Sequence, residues 1–476
     1  MTKTTKLLAI LACAAILLPF LVIGGVVVAL PSQYDKTFLG ALRDKYERLT
    51  SLEEPKIVII GGSSAAFGLD SAVIEEHTGM PVVNFGLYAS LGTKAMMDLA
   101  RDHIGEGDIV ILAPEMDPQT LSLYFNAESM WQALDGAYGM LPRLDFDDMG
   151  SMVGGIWDFA AAKFAFWQEG SAPDPSGVYN RANLNGYGDI TYERPYNVMA
   201  KGYDPNTVIR LTPETADAEF IAYVNEFADD CRRAGAQVCF SFSPMNRAAL
   251  AEETTEESLY AFYLYLAENL RCEIISDIRA CILDWEYFYD TNFHLNDAGV
   301  ILHTADLIGD IRRLQANTEP FALEMPEKPQ RPDIYVDESL NDTTGYFLCE
   351  DVDGTLTLVG ITEDGKKQSE LTLPVAQNGI AVQTVAANAF AGCDALTKIV
   401  IPEDTRLALL EDGAFAGAPN LVQVVMSVHP DVILVGDALM EGAAKDARIW
   451  IKAEYYGDFA AHYFWSEYMR VISTLK

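Results

Sequence analysis

The chain has 476 residues, half of them hydrophobic, and seven cysteines. That length predicts two or three domains, and the apolar content excludes a chain that is disordered throughout. A formal net charge of −36 excludes nucleic acid as a natural partner, because a surface this acidic repels a phosphate backbone; solubility is the plainest reading of the acidity.

Residues 1–31 come first in chain order. Leu7 to Leu30 is an uncharged, largely apolar run of 24 residues behind Lys3 and Lys6. At about 1.5 Å per residue it exceeds the roughly 30 Å of a hydrocarbon core. A secretory signal has a shorter apolar stretch, about 7–15 residues, and small residues at its cleavage site. Val28-Ala29-Leu30-Pro31 is a poor cleavage site. The expectation is one uncleaved transmembrane helix, with a cleaved signal as the alternative. The lysines keep the N-terminus inside, which puts the bulk of the chain outside the cytoplasm, on the cell membrane. Cys13 sits too early in the run for a lipoprotein site. Residues 32–55 read as a juxtamembrane helix and linker.

From Lys56 to about residue 317, strand and helix patterns alternate. Strands are expected at Lys56–Ile60, Pro81–Phe85, Asp108–Ala113, Gln237–Ser243 and Glu273–Ser276. Helices are expected at Ser71–Thr78, Thr93–Ile104, Pro213–Ala234, Glu256–Leu270 and Asp297–Leu314. Continuous apolar strands between helices predict an α/β fold with a parallel sheet covered on both faces. Residues 121–206 break the rhythm, are rich in Trp, Tyr, Gly and Asn, and read as an insertion near the carboxyl ends of the strands, where open α/β sheets place their sites.

The first strand ends in Gly61-Gly62-Ser63-Ser64, a sharp turn that presents a hydroxyl above the sheet. The last helix is preceded by Asp290-Thr291-Asn292-Phe293-His294. His294 stands out among six histidines because it lies beside a carboxylate, on a loop, at the same end of the fold. A serine hydrolase needs a nucleophile, a base and a carboxylate that orients the base; Ser63, His294 and Asp290 supply these types. Ser64 is the second choice of nucleophile. Bland alternatives stand beside this reading: Ser63 as a helix cap and His294 as a structural loop residue. A phosphate-cradling turn lacks both GxGxxG and the P-loop lysine. Glu115 and Asn246, at the ends of later strands, are candidate substrate-binding residues or plain caps. Without a CxxC pair, no metal knuckle is expected, and no cofactor. Cys272 and Cys281 bridge in an oxidising compartment or remain buried thiols.

These blocks resemble the SGNH (GDSL-like) hydrolase superfamily over residues 56–317. Its first block is matched by Gly61-Gly62-Ser63 followed by Phe67-Gly68, its second by the glycine of Asn84-Phe85-Gly86, and its last by Asp290 and His294. The resemblance implies a three-layer, flavodoxin-like α/β/α domain and a role for the Gly86 backbone N–H in an oxyanion hole. The third block departs: Ala113-Pro114-Glu115 stands where the family has Gly-x-Asn-Asp. The Asp–His spacing is four rather than the usual three. Such departures belong to the envelope-anchored branch, which includes proteins that move acyl groups onto cell-wall polymers.

Residues 318–335 are rich in Pro and Glu and read as a linker. In residues 336–476, Ala389-Phe390-Ala391-Gly392 recurs as Ala414-Phe415-Ala416-Gly417, a period of 25 residues. That period lies in the leucine-rich range, and with Ile401-Pro402 the pattern resembles bacterial BspA-type surface repeats. Two functions follow as expectations. One is an extracytoplasmic esterase or O-acyltransferase on cell-envelope polysaccharide. The other is an inert SGNH-like scaffold whose repeats bind a surface protein or glycan.

Overall fold

The computed structural model describes residues 18–19, 22–175, 177–199, 201–329, 338–352, 355–462 and 464–475. Most of the apolar run expected to span a membrane lies outside these residues. Residues 22–29 form a helix, α1. Among the described residues no helix is long and apolar enough to cross a membrane, so the expected span has no structural support.

After α1 come α2 (Leu42–Ser51), β1 (Ile57–Gly61), α3 (Ser63–Gly68), α4 (Ser71–Thr78), β2 (Val82–Asn84), α5 (Thr93–Arg101) and β3 (Ile109–Ala113). The insertion carries α6 (Ala127–Ala133) and α7 (Phe146–Glu169). Then follow α8 (Ala218–Arg233), β4 (Gln237–Phe240), β5 (Met245–Asn246), α9 (Glu256–Asn269), β6 (Glu273–Ile274), β7 (Ile282–Leu283) and α10 (Asp297–Leu314).

The main sheet has the order β2-β1-β3-β4-β6, and all neighbours are parallel. Alternate strand residues face opposite sides. Val58, Ile60, Val110 and Leu112 join a core with residues of α5, α8 and α9, while Ile57, Ile59 and Ile111 join another with α4 and α10. Because both faces are covered, every residue of β1 and β3 is buried, which is why these strands read as unbroken apolar runs. The strand order reverses between β1 and β3, and a crevice opens beyond their carboxyl ends.

Two expectations change in detail. Pro213–Ala234 is not one helix: a short 3-10 turn, Pro213–Thr215, closes in a capping box with Thr212, and α8 restarts behind Asp217, which accepts from the Glu219 N–H. The insertion, expected only as a break in the strand–helix rhythm, contains a long regular helix. α7 runs for 24 residues, opened by the Asp145 side chain and stopped by Gly170 in the left-handed region at φ 65°. Cys272 and Cys281 do not bridge; both are free thiols.

The C-terminal strands are β8 (Phe347–Val352), β9 (Thr355–Ile361), β10 (Glu370–Thr372), β11 (Ala376–Gln377), β12 (Ile380–Val385), β13 (Lys398–Ile401), β14 (Leu409–Leu410), β15 (Gln423–Met426), β16 (Leu434–Val435), β17 (Arg448–Ile451) and β18 (Ile472–Thr474), with one short helix, α11 (Tyr456–Ala461). They form two stacks, β10-β13-β15-β17-β18, parallel throughout, and β16-β14-β12-β9-β8, parallel except for the β8–β9 pair. Ile399 lies opposite Val424, and Val424 opposite Ile449, so the sequence period becomes the step of the stack. Phe390 and Phe415 are fully buried with ring centroids 5.5 Å apart. The Phe415 N–H donates to the Leu439 carbonyl at 3.0 Å. Asn388, Gly413 and Ala438 share positive φ at the same 25-residue step, so Met440, packed against the repeat core, is the counterpart of the two phenylalanines in a third unit, which the sequence conceals because methionine replaces the aromatic ring.

The repeat module also packs on the first domain. Leu434 packs against Met199, Phe288 and Leu295, Lys201 pairs with Glu411, and the His462 ring meets the Tyr179 ring edge-on at 5.6 Å.

Candidate active site

Ser63 opens α3 directly after β1 and its two glycines. Gly62 leaves room for Glu115: a Cβ on it would lie 2.7 Å from both carboxylate oxygens and would push that side chain aside. His294 arrives from the other end of the chain on a tight loop. Phe288 and Leu295 form an antiparallel bridge at its base, and the Tyr289 N–H donates to the His294 carbonyl at 2.8 Å. Within the loop, Thr291 Oγ1 accepts from the Phe293 and His294 N–H groups at 3.1 and 3.0 Å. That turn lets side chains four apart in sequence face each other.

The structure brings the three together. His294 Nε2 lies 2.7 Å from Ser63 Oγ, and His294 Nδ1 lies 2.8 Å from Asp290 Oδ1. All three are buried. Burial alone would raise the Asp290 carboxyl, but the attraction of His294 and hydrogen bonds from His294 and Tyr179 outweigh it and hold it below the usual carboxylate range. Tyr179, in the insertion, donates to Asp290 Oδ2 at 2.6 Å. The His294 ring lies flat on Phe67, 3.8 Å between centroids and 6° from parallel, and the Arg194 guanidinium sits 5.3 Å from the Phe67 ring centroid. The imidazole is therefore fixed at both nitrogens and on a face.

The other expected residues separate. Glu115, just beyond β3, belongs to the site: its Oε1 lies 3.2 Å from Ser63 Oγ and accepts the Ser64 N–H at 2.8 Å. Ser64 Oγ points elsewhere and has no hydrogen-bond partner among the described residues; it lines a small internal space with Ile59, Leu69 and His303. The Gly86 N–H donates to Asn84 Oδ1 at 3.2 Å, and a Cβ on Gly86 would collide with Ala65 and the Gly62 carbonyl. Gly86 thus packs against the Gly62 carbonyl, and its N–H is engaged by Asn84 rather than left open for an oxyanion. The Asn246 side chain donates to the Gly202 carbonyl and accepts from the Ala248 N–H. It supports the histidine loop only through its own N–H, bound to the Asn292 carbonyl at 2.9 Å.

A cavity of about 870 Å³ opens over Ser63 and His294. Its walls come from both modules: Tyr88, Asn126 and Tyr179 on one side, Asp437, Phe464 and Glu467 of the repeats on the other. Asp117, Glu128 and Asp204 add further carboxylates, against the single guanidinium of Arg210 among the described lining residues. Burial, with the negative Glu115 beside it, pushes the Asp117 carboxyl up to about 6. Such a lining repels anions.

Among the described residues one acidic group has metal-like spacing, Asp98, Asp145 and Asp148. Lys94 occupies it, 2.6 Å from Asp148 and 3.3 Å from Asp98 and paired with Asp145, so its charge is already met within the chain.

Tyr179 and the cavity-lining repeat residues carry no motif in the sequence, and Phe67 enters only as part of the first matched block. Tyr179 lies in the aromatic-rich insertion, and that richness was its only signal. The repeat residues reach the cavity through tertiary packing alone. Comparison with protein-family models, with curated proteins and with solved structures finds no match to this chain.

Proposed function

We propose that this chain is a membrane-anchored, extracytoplasmic serine esterase or O-acyltransferase of the SGNH type, acting on neutral, polyhydroxylated esters such as acylated envelope glycan. The observation that carries the reading is the Ser63–His294–Asp290 array, with contacts of 2.7 and 2.8 Å, opening into a cavity large enough for a sugar ester. The flavodoxin-like strand order and the stacked 25-residue repeats support the finer family readings. In the first step Ser63 Oγ attacks the acyl carbon and its proton passes to His294 Nε2. Asp290 stabilises the resulting imidazolium. His294 then returns that proton to the departing alcohol, leaving an acyl-Ser63 ester. Water or a second sugar hydroxyl, deprotonated by His294, attacks this ester and frees Ser63. The carboxylates around the cavity favour neutral substrates over anionic ones.

The test is labelling by a fluorophosphonate, which phosphonylates activated serines. Wild type should label, and Ser63→Ala should not. Labelling that persists in Ser63→Ala, or its absence in wild type, overturns the reading.

One observation favours a second reading, an inert scaffold. Glu115 places a carboxylate beside the nucleophile and takes the Ser64 N–H, where an anionic intermediate would need a donor. Under that reading no probe labels, and surface binding belongs to the repeats.

A further inference from the structure

α7 is apolar on two opposite faces. Its inner face buries Met152, Phe159, Lys163 and Phe166. At 100° per residue the outer face carries Phe146, Gly150, Val153, Trp157, Ala161 and Phe164, flanked by Trp167, with the exposed Asp147 and Gln168 at its two ends. Phe146 is 90% exposed, Val153 51%, Trp157 43%, Phe164 45% and Trp167 49%. A Cβ built on Gly150 or Gly154 meets nothing within 4 Å. The row spans about 30 Å along the helix. Isolated exposed apolar residues are ordinary, but a continuous stripe of this length marks a contact surface.

What covers it follows from what lies beside it. Lys163, on the inner face, donates to the Val27 carbonyl at 2.9 Å, and Tyr138 donates to the same atom at 3.3 Å. Lys163 also forms a fully buried pair with Asp135 at 2.6 Å, and Asp135 holds the Gln33 N–H at 2.7 Å. The chain is thereby clamped to α7 where the apolar run Leu7 to Leu30 ends. α1 itself exposes Val22 and Val28, at 58% and 65%. The exposed residues of α1 and of the stripe therefore belong to one packed unit, joined through the inner face of α7. Lys163 is the only cation between Phe146 and Glu169 and it is buried, so the stripe has no charge with which to seek anionic headgroups. Tryptophan and phenylalanine are the residues that settle at the boundary of headgroups and acyl chains.

We propose, resting on the membrane-anchored reading above, that the outer face of α7 lies in the interfacial layer of a lipid bilayer and so holds the catalytic domain flat on the membrane. Contact is apolar, and at a net charge of −36 anionic lipid should weaken rather than strengthen it.

The full chain, reconstituted into phosphatidylcholine vesicles with brominated acyl chains, provides the test. The protein should float with the vesicles and part of its tryptophan emission should be quenched. The double variant Trp157→Phe/Trp167→Phe should float equally well and lose most of that quenching. Quenching that is the same in both proteins overturns the proposal. So does flotation without quenching, whether the protein is then a monomer or a dimer that Phe164→Glu dissociates; the dimer would make a second copy the occupant. A protein that does not float overturns the anchor and the stripe together. None of these outcomes depends on Ser63, so the esterase reading stands or falls separately.

Discussion

Ser63 carries one hydroxyl proton and has two acceptors within reach, His294 Nε2 at 2.7 Å and Glu115 Oε1 at 3.2 Å. Only the first leads to a competent nucleophile. Glu115→Gln removes the competing carboxylate and offers an amide donor in its place. We expect fluorophosphonate labelling of Ser63 to rise at least about tenfold, toward the range known for a single oxyanion donor. An unchanged or slower rate would show that the carboxylate supports the site instead. Under the proposed esterase reading, Tyr179 positions His294 through Asp290. Tyr179→Phe removes a hydrogen bond to a charged group, worth about 1.5–3 kcal/mol, and kcat should fall about tenfold or more with KM little changed. The sign in pH is fixed by the same bond. Asp290 is held below its ordinary range partly by Tyr179, so its loss makes the carboxylate take up a proton at higher pH. The acid limb of kcat/KM should therefore move upward in the variant. A limb that stays in place leaves Tyr179 a purely structural role.

Elements differ in how far local sequence decides them. α4 and α10 have the expected bounds, because each carries its own signals. Asp70 accepts from the Val73 N–H and Gly79 closes α4 in the left-handed region; Asn296 accepts from the Gly299 N–H to open α10. α7 was not legible. Its two apolar faces erase the one-sided pattern by which a surface helix is recognised, and Gly150, Gly154 and Gly155 lower its local propensity. The repeats were legible as a period, but the third unit was not. Their energetics follow from the stack: Phe415 is buried between Phe390 and the third unit, whose Leu439 carbonyl accepts its N–H. Phe415→Ala should cost about 3–5 kcal/mol, read as a lower urea midpoint. A loss under about 1 kcal/mol would mean that the stack collapses around the gap.

The whole molecule carries a net charge of −36, and self-repulsion should govern its response to solvent. Raising salt from about 0.01 to about 0.15 M shortens the Debye length from about 30 to about 8 Å, so the melting temperature should rise. Buried acids point the same way in pH. Burial lifts Asp117, Asp310 and Asp431 to about 6 from 3.8. Between those values the folded state binds more protons than the unfolded chain, so their contribution is full near pH 4 and is lost as pH rises through about 6. Asp290 is lowered instead, and its contribution persists until pH falls through its folded value. Calorimetry should therefore find a higher melting temperature near pH 5 than near pH 7.5. A maximum above pH 7 would show that the paired acids outweigh these three.

Some of this protein was decided within the sequence itself. Unbroken apolar strands between capped helices require a sheet covered on both faces, because such strands cannot leave one side in water. A recurring phenylalanine at a fixed period requires stacking, since one unit cannot bury its ring alone. A serine after a Gly-Gly turn and a histidine beside a carboxylate named the three side chains that meet, because a nucleophile–base–carboxylate array admits few residue types. The tertiary structure decided the rest. Gly86 and Asn246 sit near the right strand ends, yet their polar groups are bound to Asn84 and to Gly202 and Ala248. Tyr179 reaches Asp290 across 111 positions, and Phe464 and Glu467 wall the cavity from the other module. No local pattern encodes such meetings, since they depend on how finished elements pack rather than on what forms them.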